Sequence, residues 1–377
     1  MSLVKSYQMC TRCVMDTSAK DIDFDEEGVC NFCTEFITRS EHILHKDDIQ
    51  RNQDLDTFVA KVKADGKGKQ YDCIVGVSGG VDSSWVLVQV IELGLRPLAV
   101  HMDNGWNSEL AQNNIGNLVH GLNVDLYTHV IEWDEYKSLM QAFFDADVID
   151  VELLYDNATL GVNYRLAAQH GVKYILSGSN LATEGMKMPE GWNWFKFDKR
   201  NIKAIGSKFG NVRLSTFPAI GTLGYIWNEV VRKRHWYPFL DYLDFNKRQA
   251  VEVLQRDFDY KPYPYKHYES IFTRFYQGYI LPKKFGVDKR KVHLSTLIAA
   301  GQMSRIEALK GLEGIAYPSE QELEDDKQYF MKKMGWKKEQ LTDYIQRPEI
   351  NHTVYLSEKK FWDLSFSAYK MLFGRDK

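Results

Sequence analysis

Between residues 71 and 177 the chain alternates short runs rich in Val, Ile and Leu with longer runs whose apolar positions recur every three or four residues. The first kind reads as buried strand and the second as amphipathic helix. The pattern predicts a strand over 71–77, a helix over 82–94 and, after the Arg96-Pro97 turn, a strand over 98–102. A helix at about 108–121, a strand over 126–131 and helices near 133–146 and 156–170 follow. Lys173 to Ser177 reads as a strand, as does Val212 to Ser215. Apolar strands spaced by helices give an α/β fold, a parallel sheet with helices on both faces. Ligands in such sheets collect at the carboxyl ends of the strands, near the point where strand order reverses.

Around this 71–244 domain, residues 1–40 read as a small cysteine-bearing module and 41–70 as a polar helix and linker. Residues 245–377 read as a helical region for substrate or partner, with aromatic and basic stretches and Lys-, Glu- and Asp-rich surface helices at its end.

Three strand tails carry suitable chemistry. The first is Ser78-Gly79-Gly80-Val81-Asp82-Ser83-Ser84. A strand, a Gly-Gly turn and a helix N-terminus in succession build an anion cradle, because backbone N–H groups and the helix dipole both favour negative charge there. Glycine lets phosphate oxygens approach the backbone without a Cβ in the way. The bland alternative is an ordinary Gly-rich turn, against which the flanking strand and helix speak. No GxxxxGK[ST] occurs, which argues against a loop of the kind that serves γ-phosphate cleavage. The second tail is His101-Met102-Asp103-Asn104-Gly105-Trp106, where Asp103 either contacts a nucleotide or caps the next helix, and His101 reads as a packed strand residue. The third is Ser177 to Gly185, with Gly178, Asn180 and Glu184. Asp82 and Glu184 would face one cleft, and paired carboxylates beside a triphosphate suit Mg²⁺.

Composition narrows the class. Apolar and charged fractions of 44% and 26% are those of a globular protein, and a net charge of −3 gives no bulk attraction to nucleic acid. Met1 to Met9 has no apolar core of a leader, and no run is long enough to span a membrane, so a cytoplasmic chain is expected. Cys10-x2-Cys13 and Cys30-x2-Cys33 have zinc-ribbon spacing, and a closed four-thiolate site is structural. Disulfides are the competing reading, disfavoured in a reducing compartment. Cys73, inside the first strand, reads as a small buried hydrophobe. The block from Pro262 to Lys291, dense in Tyr, Lys and Arg, includes Lys289 and Arg290, expected to neutralise a pyrophosphate or a sugar nucleotide.

The SGGVDSS order resembles the pyrophosphate loop of the ATP pyrophosphatase superfamily. Together with the paired CxxC motifs, HMDNGW, SGSNLATEG and the block KHYESIFTRFYQGYILPKKFGVDKRKVHLS, the chain resembles the N-acetyl sugar amidotransferases of bacterial surface-glycan biosynthesis. The resemblance runs from about Cys10 to Leu309. It implies ATP bound through Ser78, Gly79, Gly80, Asp82, Ser83 and the adjoining Ser84, with Asp82 and Ser83 carrying the chemistry. It implies Gly178, Asn180 and Glu184 in a loop that helps hold Mg²⁺ and nucleotide. The implied reaction converts the acetamido group of a sugar, free or nucleotide-linked, to an acetamidino group through an O-adenylyl intermediate and ammonia, in lipopolysaccharide or related biosynthesis.

The nitrogen source follows from the cysteines. A glutaminase of the N-terminal nucleophile type needs Cys at position 2, where this chain has Ser2, and a triad-type glutaminase needs a reactive Cys. Ammonia is therefore expected free or from a separate glutaminase, and the family resemblance implies a pair like that of imidazole glycerol phosphate synthase; a homo-oligomer is possible, with no nucleic-acid or membrane partner. The competing activity is tRNA 2-thiolation, for which spare cysteines and a basic surface are wanting.

Overall fold

The computed structural model describes residues 6–210, 213–263 and 268–373. Val212 and the stretch 264–267 of the aromatic-basic block lie outside them. Five strands, β1 (Cys73–Gly76), β2 (Pro97–Asp103), β3 (Leu126–Val130), β4 (Tyr174–Ser177) and β5 (His235–Pro238), form one sheet in the order β3-β2-β1-β4-β5. All four pairings are parallel. Helices α1 (Asn31–Leu44) and α2 (Asp48–Asp65) precede the sheet. α3 (Val81–Glu92) joins β1 to β2 and α4 (Glu109–Leu122) joins β2 to β3. α5 (Trp133–Asp145) and α6 (Leu153–Gln169) lead to β4, and α7 (Leu181–Glu184), α8 (Lys199–Phe209) and α9 (Thr222–Ile226) lead on to β5.

Strand residues alternate between two apolar layers. Cys73, Val75, Ala99, Tyr174 and Leu176 meet α3 on one face, whereas Ile74, Leu98, Val100 and Ile175 meet the layer containing α5, α6 and α8 on the other. Both faces are thus covered over β1, β2 and β4, which is why these strands read as continuous apolar runs, while β3 is largely exposed. The strand order reverses at β1, so the tails of β1 and β4 lie side by side.

The fifth strand is His235–Pro238 and not Val212–Ser215. Arg213 and Ser215 are exposed, and the Ser215 and Thr216 N–H groups donate to the Glu135 carboxylate at 2.7 and 2.9 Å. That carboxylate answers the backbone locally and leaves nothing for a ladder. β5 lacks the Val/Ile/Leu signature because rings pack it, with Tyr237 5.0 Å from Phe58 and 5.5 Å from Tyr174 between centroids. Its Pro238 sits at the end of an edge strand, where a missing N–H is tolerated.

After the sheet come α10 (Lys247–Phe258), α11 (Ile271–Phe275) running on as the π-helical segment Tyr276–Phe285, α12 (Arg290–Ala299), α13 (Arg305–Leu312), α14 (Glu320–Met334), α15 (Lys338–Gln346) and α16 (Lys359–Phe373). These are not a solvated appendage. Phe330 of α14 and Tyr344 of α15 are fully buried, and one apolar cluster runs from the cysteine module through α5 and α6 to α15. α1 likewise continues past residue 40 without a break. The rivet is Trp106 after β2: it is fully buried, 5.4 Å from Phe272 and 6.0 Å from Phe330, and its indole N–H donates to Met140 Sδ. The chain beside it is stitched, since Ser108 N–H donates to Glu269 O and Ile271 N–H to Trp106 O, both at 2.9 Å.

Replacing Trp106 by Ala removes the centre of this ring cluster. The unfolding free energy should fall by about 3–5 kcal/mol, as for other buried aromatics truncated to Ala. Urea unfolding followed by near-UV dichroism checks it, and a loss below about 1 kcal/mol would contradict the assigned role.

Candidate active site and metal centre

The loop after β1 is held in shape by its own serines. Ser78 N–H donates to Ser83 Oγ at 3.2 Å, Gly80 N–H donates to Ser78 Oγ at 3.3 Å, and Tyr263 O–H donates to the Gly79 carbonyl at 3.1 Å. Gly80 is the N-cap of α3 and supplies no side-chain cap, so the helix opens with backbone donors to spare. Gly79 has φ +84°, and a Cβ there would lie 2.8 Å from the Ala111 carbonyl. Gly178, in the tail of β4, is pressed against the same loop: its Cβ would stand 2.7 Å from Ser83 N and 2.8 Å from Asp82 C. Two strand tails touch backbone to backbone here, and glycine is the side chain that fits.

A cavity of about 510 Å³ opens over this contact. Ser78, Gly80, Asp82, Ser83, Gly178 and Glu184 line it, so the predicted phosphate and carboxylate residues share one space. Six other predicted site residues sit elsewhere, as does His101. Gly79 shapes the turn beneath the cavity without lining it, and Ser84 is buried in the core side of α3. Asn180 caps α7, its Oδ1 accepting from Thr183 N–H at 2.8 Å. Asp103 turns into its own loop, accepting from Gly105 N–H at 2.8 Å and Asn107 Nδ2 at 3.3 Å, while Ser108 caps α4. His101 is buried, with Nδ1–H donating to the Val77 carbonyl and Nε2 accepting from Asn107 Nδ2, both at 3.0 Å. Lys289 and Arg290 do not reach the loop: Lys289 Nζ pairs with Glu152 at 2.7 Å and Arg290 with Asp288 at 2.8 Å, beside a second cavity. Tertiary packing places Lys289 and His101, whereas Asn180, Asp103 and Arg290 answer groups within four residues of themselves.

The structure adds residues that sequence reading passed over. Glu269 reaches the cavity because the backbone stitch to Trp106 and Ser108 carries it there. Lys247 enters from the first turn of α10. Tyr155, Thr159 and Asn163 of α6 form a third wall, and their spacing of four in a largely apolar helix was the available signal. The Asn163 Oδ1 is buried with no hydrogen-bond partner among the described residues. Burial, with Asp156 and Glu269 nearby, pushes the Tyr155 phenol up and keeps it protonated.

Behind α6 lies a chain of buried charge. Lys196 bridges Asp150 at 2.7 Å and Asp156 at 2.8 Å. Burial alone would raise both carboxyls; Lys196 and Lys289 nonetheless bring Asp150 below its ordinary value, while Asp156 stays above its own.

The four ribbon cysteines converge. Their Sγ atoms lie within 4.8 Å of one another, with Cys13–Cys30 at 3.7 Å and Cys10–Cys33 at 4.0 Å, and all are buried. A tetrahedron with Zn–S bonds of about 2.3 Å has edges of roughly 3.8 Å, so the donor set fits zinc, and the sulfurs are far beyond disulfide length. The module leans on the C-terminal helices. Arg305 donates to the Cys10 and Cys13 carbonyls at 3.0 Å, Val14 N–H donates to Ser295 Oγ at 3.2 Å, and Lys291 pairs with Asp16 at 2.5 Å. On its other side Arg39 of α1 donates to the Gly185 carbonyl, next to Glu184. Cys73 is fully buried in β1, and burial beside Asp72 pushes its thiol up.

Residues 269–369 match the family model described as "LPS biosynthesis protein WbpG-like, C-terminal domain". Comparison with curated proteins gives no match. Among solved structures the chain is similar to an NMN synthetase from Francisella tularensis, with 14% identity and TM-score 0.30 over 59% of this chain and 99% of that one. An NH3-dependent NAD synthetase from Campylobacter jejuni gives 18% and 0.29 over 56% and 94%. A predicted subunit of tRNA methyltransferase from Methanocaldococcus jannaschii gives 12% and 0.28 over 48% and 75%. The fold assignment rests on the strand order itself. No described helix is long and apolar enough to cross a membrane.

Two outcomes follow. Elemental analysis should find one zinc per chain, and stripping it, or Cys30→Ser, should lower Tm by about 5 °C or more, since metal binding contributes folding free energy; a full-length protein folded in zinc-supplemented medium that binds none would exclude the site. The second concerns Asp241, which accepts from Leu181 N–H at 2.7 Å and whose carboxyl burial raises to about 6. Its folded value lies above the unfolded one near 3.9, so its contribution favours folding at low pH and is lost as pH rises through 6. Asp241→Asn should therefore stabilise the protein at pH 8 by up to about 3 kcal/mol and have little effect at pH 4. Denaturation at both pH values measures this, and a stabilisation of the same size at pH 4 would refute it.

Proposed function

We propose that the chain is an ATP-dependent, AMP-forming amidotransferase that converts the acetamido group of a sugar to an acetamidino group in lipopolysaccharide or related surface-glycan biosynthesis. The observation that carries the reading is the shared cavity at the β1–β4 junction, where the backbone cradle of Ser78 to Ser83 faces Asp82 and Glu184. The match of residues 269–369 to a lipopolysaccharide-biosynthesis family supports a glycan acceptor.

An amide carbonyl is a poor electrophile. In the proposed step its oxygen attacks the α-phosphorus of ATP, the bond from that phosphorus to the α–β bridging oxygen breaks, and pyrophosphate leaves. The resulting O-adenylyl imidate carries a good leaving group. Ammonia adds to its carbon, the C–O bond breaks, AMP departs and a proton is released as the amidine forms. The protein's task is to position reactants and to stabilise charge. Spare N–H groups at the start of α3 hold phosphate oxygens, and Lys247 faces the charge that develops on them. The Asn163 Oδ1 offers an acceptor to an amino group of the base. Asp82, Glu184 and Glu269 make the cavity wall acidic, so a triphosphate requires a divalent cation beside it. Asp82 and Glu184 would hold Mg²⁺, which supplies that neutralisation when bound.

Ammonia is assigned to an outside source, free or from a separate glutaminase. Cys73 is sealed in β1 with its thiol held protonated, and the other cysteines are committed to the ribbon, which also speaks against thiolation chemistry.

The test is incubation of the full chain with ATP, Mg²⁺, ammonium and a panel of N-acetylated sugars and nucleotide sugars. AMP and pyrophosphate in equal amounts, with a product in which NH replaces O, are expected; ADP and phosphate would refute the reading. Asp82→Asn should keep the fold yet lower kcat by about 100-fold or more.

A further inference from the structure

A second cavity of about 400 Å³ lies beside the first, and the side chain of Lys247 lines both. Thr183, next to Glu184, is the other contribution from the sheet domain; nearly all the rest of its wall comes from residues 274–316, inside the segment that matches the glycan-biosynthesis family. A chamber built by the family-matched part, opening at one lysine onto the nucleotide chamber, is where the molecule's specific acceptor has room.

Its charge says what kind. Arg274, Lys289 and Arg290 line it beside Lys247, against a single lining carboxylate, Glu307, whose oxygen already accepts from Ser304 N–H at 2.8 Å and Ser304 Oγ at 2.6 Å. The carboxylates that balance three of the cations, Asp326, Glu152 and Asp288, stand outside the lining. A guanidinium has five donors and an ammonium three, so these pairings leave donors over.

Lys247 has no such balance. Among the described residues no carboxylate is within ion-pair distance of it, and it occupies the first turn of α10, where the helix dipole disfavours a cation. The π-helical segment lines the wall at Gln277 and Gly278, and Gly278 lets it close on Tyr317, whose ring a Cβ would meet at 2.6 Å.

We infer that the second cavity binds the acceptor, an N-acetylated sugar bearing an anionic group, and that Lys247 stands where the acceptor meets the phosphates of the nucleotide. This rests on the reading of the first cavity as the ATP site. The anionic group is a diphosphate or a sugar carboxylate, and the probes below separate these sources.

Calorimetric titration of the zinc-loaded full chain uses UDP-N-acetylglucosamine, N-acetylneuraminic acid and neutral N-acetylglucosamine as probes. One of the two anionic probes should bind, and the neutral sugar at least tenfold more weakly. Leu297→Trp and Met303→Trp, which each fill the second cavity from a half-buried position, should weaken that probe at least tenfold while leaving a non-hydrolysable ATP analogue within twofold. Lys247→Met should weaken both ligands. Equal probe affinity in wild type and both folded Trp variants overturns the inference, as does binding of neither anionic probe or equal binding of the neutral sugar. If the probe behaves as expected yet no AMP forms, the proposed reaction fails and the binding site stands.

Discussion

The contact that organises this molecule is a backbone one. At the reversal of strand order the tails of β1 and β4 meet so closely that a Cβ on Gly178 would overlap Asp82 and Ser83. The phosphate loop and the Asp82 and Glu184 carboxylates of the first cavity are positioned from the two sides of that contact. The phosphate cradle hangs from one tail and Glu184 from the other. Because the strands beneath are buried on both faces, neither tail can shift without disturbing a packed layer. The site inherits its precision from the sheet.

Much of this was legible in the chain, for identifiable reasons. Three strands, β1, β2 and β4, announced themselves because strands buried on both faces are apolar without interruption, while the largely exposed β3 was marked by its place between two helices. The SGGVDSS loop and the ribbon spacing were legible because their geometry is local: a few consecutive residues make the turn, and the metal gathers the rest. β5 was not, since its stability comes from rings contributed by α2 and β4. Lys289 and Arg290 were expected at a pyrophosphate or a sugar nucleotide; they lie away from the phosphate loop, paired with Glu152 and Asp288 beside the second cavity. Which carboxylate a lysine meets depends on how α6 and α12 dock, and that is settled across more than a hundred residues of sequence. Glu269 arrives by a backbone stitch that leaves no trace in periodicity.

The segments that the sequence separates, the structure joins. The ribbon presses one side against α12 and α13, whose residues line the second cavity, and the other against the loop that bears Glu184. A zinc held by the four thiolates would have no chemistry of its own, yet the module that it closes underpins both chambers. The ion pairs around α6 join segments in the same way: Lys196 ties its first turn to the loop before α8 and Lys289 ties its start to α12, at a desolvation cost that hydrophobic contacts would not carry.

One consequence of Arg305 capping the Cys10 and Cys13 carbonyls concerns time. The partners are separated by 295 and 292 positions, whereas the thiolates of the ribbon lie within 23 positions of one another. Contacts of such long sequence separation form slowly compared with any single helix or hairpin. The outer carbonyls of the ribbon are therefore expected to leave water late in folding, after its thiolates can already have met, when α13 docks on them.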